Sequence, residues 1–238
     1  MPIPRIIHQT WKGSPDTLPE IWQDSYQQWV TLANKHHFTY RFWTDIDIDQ
    51  FIKEEFPWFL EKFRSYPYGI QRADTFRYFV LYHYGGIYSD FDNVPKESLF
   101  TEWFVQYQHQ GLILPYCKPG NEVGLQNITN AFMASEPRHP FWVNVWYMLY
   151  NPTDYNPWKE AFLVSHYFEV IFTTGPGLLS DAYHSCNRIK RHVHLCKDTQ
   201  VQLGCDGKYM TSVCGNSWHD TTSISQYWSQ LYQLRASN

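Results

Sequence analysis

The sequence lacks an excess of positive charge, a cysteine pairing pattern and any long apolar run. Lysine and arginine number 19 against 23 aspartates and glutamates, for a net charge of −4. With no basic patch, DNA and RNA are not expected partners. The five cysteines (Cys117, Cys186, Cys196, Cys205 and Cys214) are odd in number and include no C-x-x-C. That argues against a disulfide scaffold and for a reducing compartment. No stretch approaches the roughly 18 apolar residues that suggest a membrane span. Met1-Pro2-Ile3-Pro4 leads into a short apolar run without the features of a signal peptide. Internal repeats, low-complexity tracts and linkers are missing too. The 238 residues therefore read as a single domain, 1–238, with its own core.

Aromatic residues, in contrast, are abundant: 11 Trp, 18 Tyr and 16 Phe, 19% of the chain. Sugar rings stack on aromatic faces, which suits a carbohydrate-handling protein. Aromatics also simply fill cores, and composition alone favours that simpler account.

The most informative stretch is Gln71–Asn93, QRADTFRYFVLYHYGGIYSDFDN. Ala73, Phe76, Val80 and Tyr84 recur at helical steps, as do Asp74, Arg77 and Leu81, predicting a helix over Ile70–Tyr84. Asp74 and Arg77 then share one face, an arrangement that by itself is usually a weak surface ion pair. Gly85-Gly86 breaks the helix, and a strand is expected to carry Asp90-Phe91-Asp92. Strand alternation would aim both carboxylates into one cleft and Phe91 away from it. Such a pair of oxygen ligands suits a hard cation such as Mg²⁺ or Mn²⁺.

Elsewhere, Pro4–Gln9 and Phe38–Trp43 read as strands, with helical spacing from Pro19 to Ala33 between them. Thr44 and Asp45 look like N-cap residues of the next helix, and Pro57 and Pro67 punctuate two further helical segments. Gly111–Tyr116 is a strand, and Phe141–Tyr150 and Trp158–Phe172 are helices, the second broken by Thr173-Thr174-Gly175-Pro176-Gly177. This alternation predicts an α/β domain. His192-x-His194-x-Cys196 lacks the paired spacing of a structural zinc site, so exposed histidines on one strand face are the simpler reading.

The string formed by Ala73-Asp74, Arg77-Tyr78, Leu81-Tyr82, Gly85-Gly86, Tyr88, Asp90 and Asp92 resembles the signature of retaining DXD glycosyltransferases. The likeness is to glycosyltransferase family 32, with the glucosyltransferase domains of clostridial toxins as distant relatives. Ile3–Gly13, IPRIIHQTWKG, is similar to the opening of the same family. Arg72 departs from the serine or lysine common near that aspartate. The resemblance implies a GT-A-type fold, a mixed sheet flanked by helices. It implies metal-dependent, retaining transfer of a hexose from a UDP- or GDP-hexose to a glycan, lipid or protein, as in polysaccharide biosynthesis, with Mn²⁺ or Mg²⁺ as cofactor. Asp92 would bind the ion and the diphosphate, and Asp90 the ribose or the ion's water shell. Asp74 and Arg77 would hold sugar hydroxyls, and Trp11 would stack on the base. His8, Gln9, Tyr88, Ser89, Asn130, Gly175 and Trp218 would complete the nucleotide-sugar site. Asn216 stands where a third metal ligand is expected, with Ser212 and His219 as alternatives. A cytoplasmic enzyme is expected, meeting a membrane only through its acceptor.

Two other readings compete. Asp90-Phe91-Asp92-Asn93-Val94 also fits the D-x-D-x-V of haloacid-dehalogenase-like phosphohydrolases, although the later aspartates are isolated. A non-catalytic carbohydrate-binding module would explain the aromatics but not the motif and helix together.

Overall fold

Ile6-Ile7, β-branched and apolar, starts the sheet, and the chain then alternates strand and helix much as its periodicity predicts. We describe a computed structural model covering residues 1–116, 128–151, 166–186, 192–196 and 208–213, with Arg188 and Gln233. The elements run β1 (Ile6–Thr10), α1 (Glu20–Lys35), β2 (Thr39–Trp43), α2 (Asp45–Glu55), α3 (Leu60–Ser65), α4 (Gly69–Tyr84), β3 (Gly86–Ser89) and β4 (Asn93–Pro95). They continue with α5 (Glu97–Tyr107), β5 (Leu112–Pro115), β6 (Phe132–Ser135), α6 (Phe141–Tyr150), α7 (His166–Thr173), α8 (Pro176–Ser185), β7 (Val193–Cys196) and β8 (Met210–Ser212).

Six strands form one mixed sheet in the order β2-β1-β3-β6-β5-β7. β2, β1 and β3 are parallel, β6 is antiparallel to both of its neighbours, and β7 is parallel to β5. Successive side chains leave opposite faces. Ile87 enters a core with Trp29 of α1 and Phe100 and Trp103 of α5, whereas Tyr88 enters the core built by α2, α3, α4, α6 and α8. Helices therefore cover both faces, the expected α/β layering.

Local chemistry fixes the boundaries. Thr44 caps α2 in a reciprocal box, accepting from Asp47 N–H while Asp47 accepts from Thr44 N–H. Phe141–Tyr150 is helical as predicted. Of the expected helix Trp158–Phe172, the described part runs from His166, and residues 158–165 lie outside the described set. Gly85 and Gly86 both take positive φ, 65° and 95°, where α4 turns into β3. A Cβ on Gly86 would also stand 2.6 Å from the Ile6 carbonyl oxygen, so only glycine lets β3 pair this closely with β1.

α4 is buried around most of its circumference, with every side chain from Asp74 to Leu81 inside. The Asp74–Arg77 pair is therefore interior, and the surface ion pair that D-x-x-R usually signals is not what forms. Among the described residues no helix is long and apolar enough to cross a membrane. No group of three or more His, Cys, Asp or Glu able to hold a metal occurs among them either. Cys196 packs in the core and His194 lies against the Tyr107 ring.

Candidate active site

The C-terminal ends of β2, β1 and β3 lie side by side, the edge at which open α/β sheets form ligand crevices. Trp11 follows β1 and bonds through its N–H to the Trp43 carbonyl (3.0 Å), tying the ends of β1 and β2 together. β3 stops at Ser89, one residue short of the motif. Asp90-Phe91-Asp92 is a tight turn rather than the expected strand. Asp90 N–H donates to Ala131 O (2.8 Å), and Asn93 N–H closes the turn on Asp90 O (3.2 Å). Phe91 is still buried, packed with Leu18 and Trp22, and both carboxylates still line one cavity. That cavity holds about 300 Å³ and is walled by Trp11, Lys12, Trp22, Asp45, Gly69, Ile70, Ala73, Arg77 and the three motif residues, with Thr10 at its edge.

Arg77 ties the motif to the helix. Its guanidinium contacts Asp74 Oδ1 (3.0 Å) and Asp90 Oδ2 (3.3 Å), donates to the Asn130 carbonyl (2.8 Å), and lies 4.6 Å from the Tyr88 ring centre. Tyr88 OH donates to the other oxygen of Asp90 (2.7 Å) and meets Thr10 Oγ1 (2.9 Å). Asp90 is thus held at both oxygens by buried groups. Asp74 also accepts from Asn130 Nδ2 (2.9 Å) and Thr174 Oγ1 (3.2 Å). Burial pushes its carboxyl up to about 6 despite Arg77 beside it. Asp92 differs: its Oδ1 is buried with no hydrogen-bond partner among the described residues. Burial, and then the charge of Asp90, push its carboxyl up to about 7, against the pull of Arg77.

The remaining residues expected at a nucleotide-sugar site fall into two groups. Trp11 is half-buried on the cavity wall, its Nε1–H on Thr17 Oγ1 (3.1 Å) and its ring edge-on to Trp22 at 5.2 Å. His8, Gln9, Tyr88, Ser89, Asn130 and Gly175 are buried and do not line the cavity. His8 accepts from Trp43 Nε1 at Nδ1 (3.1 Å), which leaves Nε2–H to donate to Gly85 O (3.0 Å). Gln9 bridges Ser89 O and Tyr40 OH. At the other end of the motif, β8 pairs with β4, Ser212 opposite Asn93, and Val213 N–H donates to Asp92 O (2.7 Å). This pairing brings the chain before Cys214 beside the motif, whereas Asn216, Trp218 and His219 lie outside the described residues.

Sequence reasoning did not single out Trp22, Lys12 or Asp45 as cavity residues, nor Thr174 and Tyr78 as supports of Asp74. Tyr78 OH accepts from Asn130 Nδ2 (3.2 Å) and donates to Thr174 O (2.7 Å). Position after a strand was the available signal for Asp45, as it was for Trp11.

The sequence profile described as the glycosyltransferase sugar-binding region containing DXD motif matches residues 19–110. The mannosyl phosphorylinositol ceramide synthase CSH1 of Saccharomyces cerevisiae is 38% identical over 91% of this chain. The inositol phosphoceramide mannosyltransferase 1 of Schizosaccharomyces pombe is 31% identical over 95% of it. The chain spans 53% and 65% of the lengths of these two relatives. The catalytic domain of alpha-toxin from Clostridium novyi superimposes with a TM-score of 0.54 at 11% identity, covering 99% of this chain and 83% of that one. At that identity the likeness concerns the fold alone. Motif, matched region and architecture agree: residues 19–110 carry the sugar-binding region of the DXD-containing glycosyltransferases, on a GT-A fold.

Proposed function

We propose that the chain transfers a hexose, with retention of configuration, from a nucleotide-diphosphate donor to an acceptor hydroxyl. The observation that carries this reading is the convergence of Trp11, Arg77, Asp90 and Asp92 on one cavity at the sheet edge. Trp11 offers a stacking face for the base. Arg77, held by two carboxylates, orients the sugar end and fixes Asp90. Mannose is the sugar named for both fungal relatives, so a mannosyl donor is the first to test. Their names also make an inositol phosphoceramide the first acceptor, ahead of glycans and proteins.

The site chemistry fits a divalent cation, Mn²⁺ or Mg²⁺. Asp92 keeps one buried carboxylate oxygen without a partner among the described residues, and Asp90 stands two residues away on the same cavity. Mg²⁺ is commonly held by one or two carboxylates together with substrate phosphates, so two acids suffice. When bound, the ion would offset the negative charge that builds on the departing diphosphate. In the proposed front-face route the leaving diphosphate oxygen takes the acceptor's proton, and no side chain of this chain is needed as nucleophile.

The test is turnover of GDP-mannose and UDP-hexoses with Mn²⁺, for the native chain and for Asp92→Ala. The variant should lose at least ~100-fold of activity. Wild-type turnover by the variant refutes the role of Asp92. A product linkage found inverted by NMR refutes retention.

A further inference from the structure

The cavity has a second acidic position, away from the motif. Asp45 opens α2 and lines the same cavity as Trp11 and Lys12. Its side chain makes no hydrogen bond or ion pair with any described residue; the neighbouring cap is completed by Thr44 and Asp47 instead. The order of strands at the sheet edge places these groups along a line. The DXD turn follows β3, Trp11 follows β1, and Asp45 follows β2, the next strand out. Adjacent strands lie ~4.8 Å apart, so Asp45 stands roughly 10 Å from the motif across the sheet. A nucleotide with its diphosphate at Asp92 and its base on Trp11 would therefore turn the outer edge of the base toward Asp45.

We propose that Asp45, with Lys12 beside it, reads that edge and selects guanine over uracil. The inference rests on the nucleotide-sugar reading above. An ionised carboxylate only accepts hydrogen bonds. Guanine presents two adjacent donors, N1–H and the 2-amino group, which one carboxylate can accept together. Its O6 is an acceptor, and Lys12 supplies the matching ammonium. The Lys12 ammonium lies 5.4 Å from the Trp11 ring centre, on an exposed and flexible side chain, so it can follow a stacked base. Uracil offers a single N–H flanked by two carbonyl oxygens, one of which would face the carboxylate and be repelled. Specificity of this kind comes as much from the rejected partner as from the favoured one. Partial burial also holds the Asp45 carboxyl above its ordinary value, with Arg72 and then Lys12 pulling it back.

The experiment is calorimetric titration of GDP, IDP and UDP, each with Mn²⁺, into the native chain and into Asp45→Asn. The native chain should bind GDP more tightly than UDP by roughly 5- to 150-fold, the worth of one good bidentate base contact. It should also bind GDP more tightly than IDP, which lacks the 2-amino group. Asp45→Asn should lose most of both preferences, weakening GDP while leaving UDP equal or tighter, at an unchanged melting temperature. Equal binding of GDP and UDP by the native chain overturns the assignment and leaves the transferase reading intact. So does an equal loss for both nucleotides in the variant, the sign of a structural role. Binding of neither nucleotide overturns both.

Discussion

Replacing Arg77 by methionine separates the electrostatic role of this residue from its bulk. Arg77 is buried, and four groups depend on it: Asp74, Asp90, the Asn130 carbonyl and the Tyr88 ring. The variant leaves Asp74 as a carboxylate inside the protein, with Asn130 and Thr174 as its only donors among the described residues. Removing one partner of a buried pair typically costs ~3–5 kcal/mol, most of it the uncompensated charge that remains. For a chain of this size that is a fall of about 6–20 °C in melting temperature. A second substitution, Asp74→Asn, should recover at least half of the loss. The new side chain can still accept from Asn130 through its amide oxygen. Its amide nitrogen can donate to Thr174 Oγ1, whose own proton then goes to Val170 O, 3.3 Å away. Activity should stay absent in both variants, because Asp90 has lost its anchor and the sugar end its guanidinium. Thermal melts followed by circular dichroism at pH 8, with donor turnover on the same samples, make the comparison. A single variant melting within about 2 °C of the native chain contradicts the reasoning. A double variant no more stable than the single one does so as well.

Trp11→Ala should weaken free nucleoside diphosphate by roughly 5- to 150-fold, the loss of ~1–3 kcal/mol of base stacking. If Trp11 serves packing instead, its melting temperature will fall while affinity holds. His8 is buried and neutral, and burial lowers its pKa from 6.5 to about 3. Between those values the unfolded chain binds the extra proton, so stability is full above pH 6.5 and is lost as pH falls toward 3, by roughly 4–5 kcal/mol in total. His8→Gln, whose amide can serve both Trp43 and Gly85, should shift the acid-unfolding midpoint to lower pH; an unchanged midpoint in acid titration by fluorescence rules this out. Gly86→Ala should destabilise the chain by more than a typical exposed Gly→Ala change, since its Cβ meets the Ile6 carbonyl at 2.6 Å. Denaturant titration showing a loss below ~1 kcal/mol rejects that account.

Much of this protein was determined locally and was legible in its residues. The helix over 70–84, the glycine break, the cap at Thr44 and the strands ending at Gln9–Thr10 and Trp43 follow from periodicity, φ preferences and capping chemistry. Those depend on neighbours a few positions away, which the sequence displays. The motif itself was equally plain. Its conformation was not: alternation along a strand predicted where the carboxylates point, whereas the chain reaches the same outcome through a turn fixed by Ala131, about forty residues on. Nor could spacing reveal that Asp74 and Arg77 are interior. Their burial depends on Asn130 and Thr174, groups brought to α4 only when β6, α7 and α8 pack around it. A charged pair enters a core only where distant donors replace its water, and such donors carry no local mark in the sequence. The same holds for Asp45, which local signals identify as a helix start and only the neighbouring end of β1 makes a wall of the cavity.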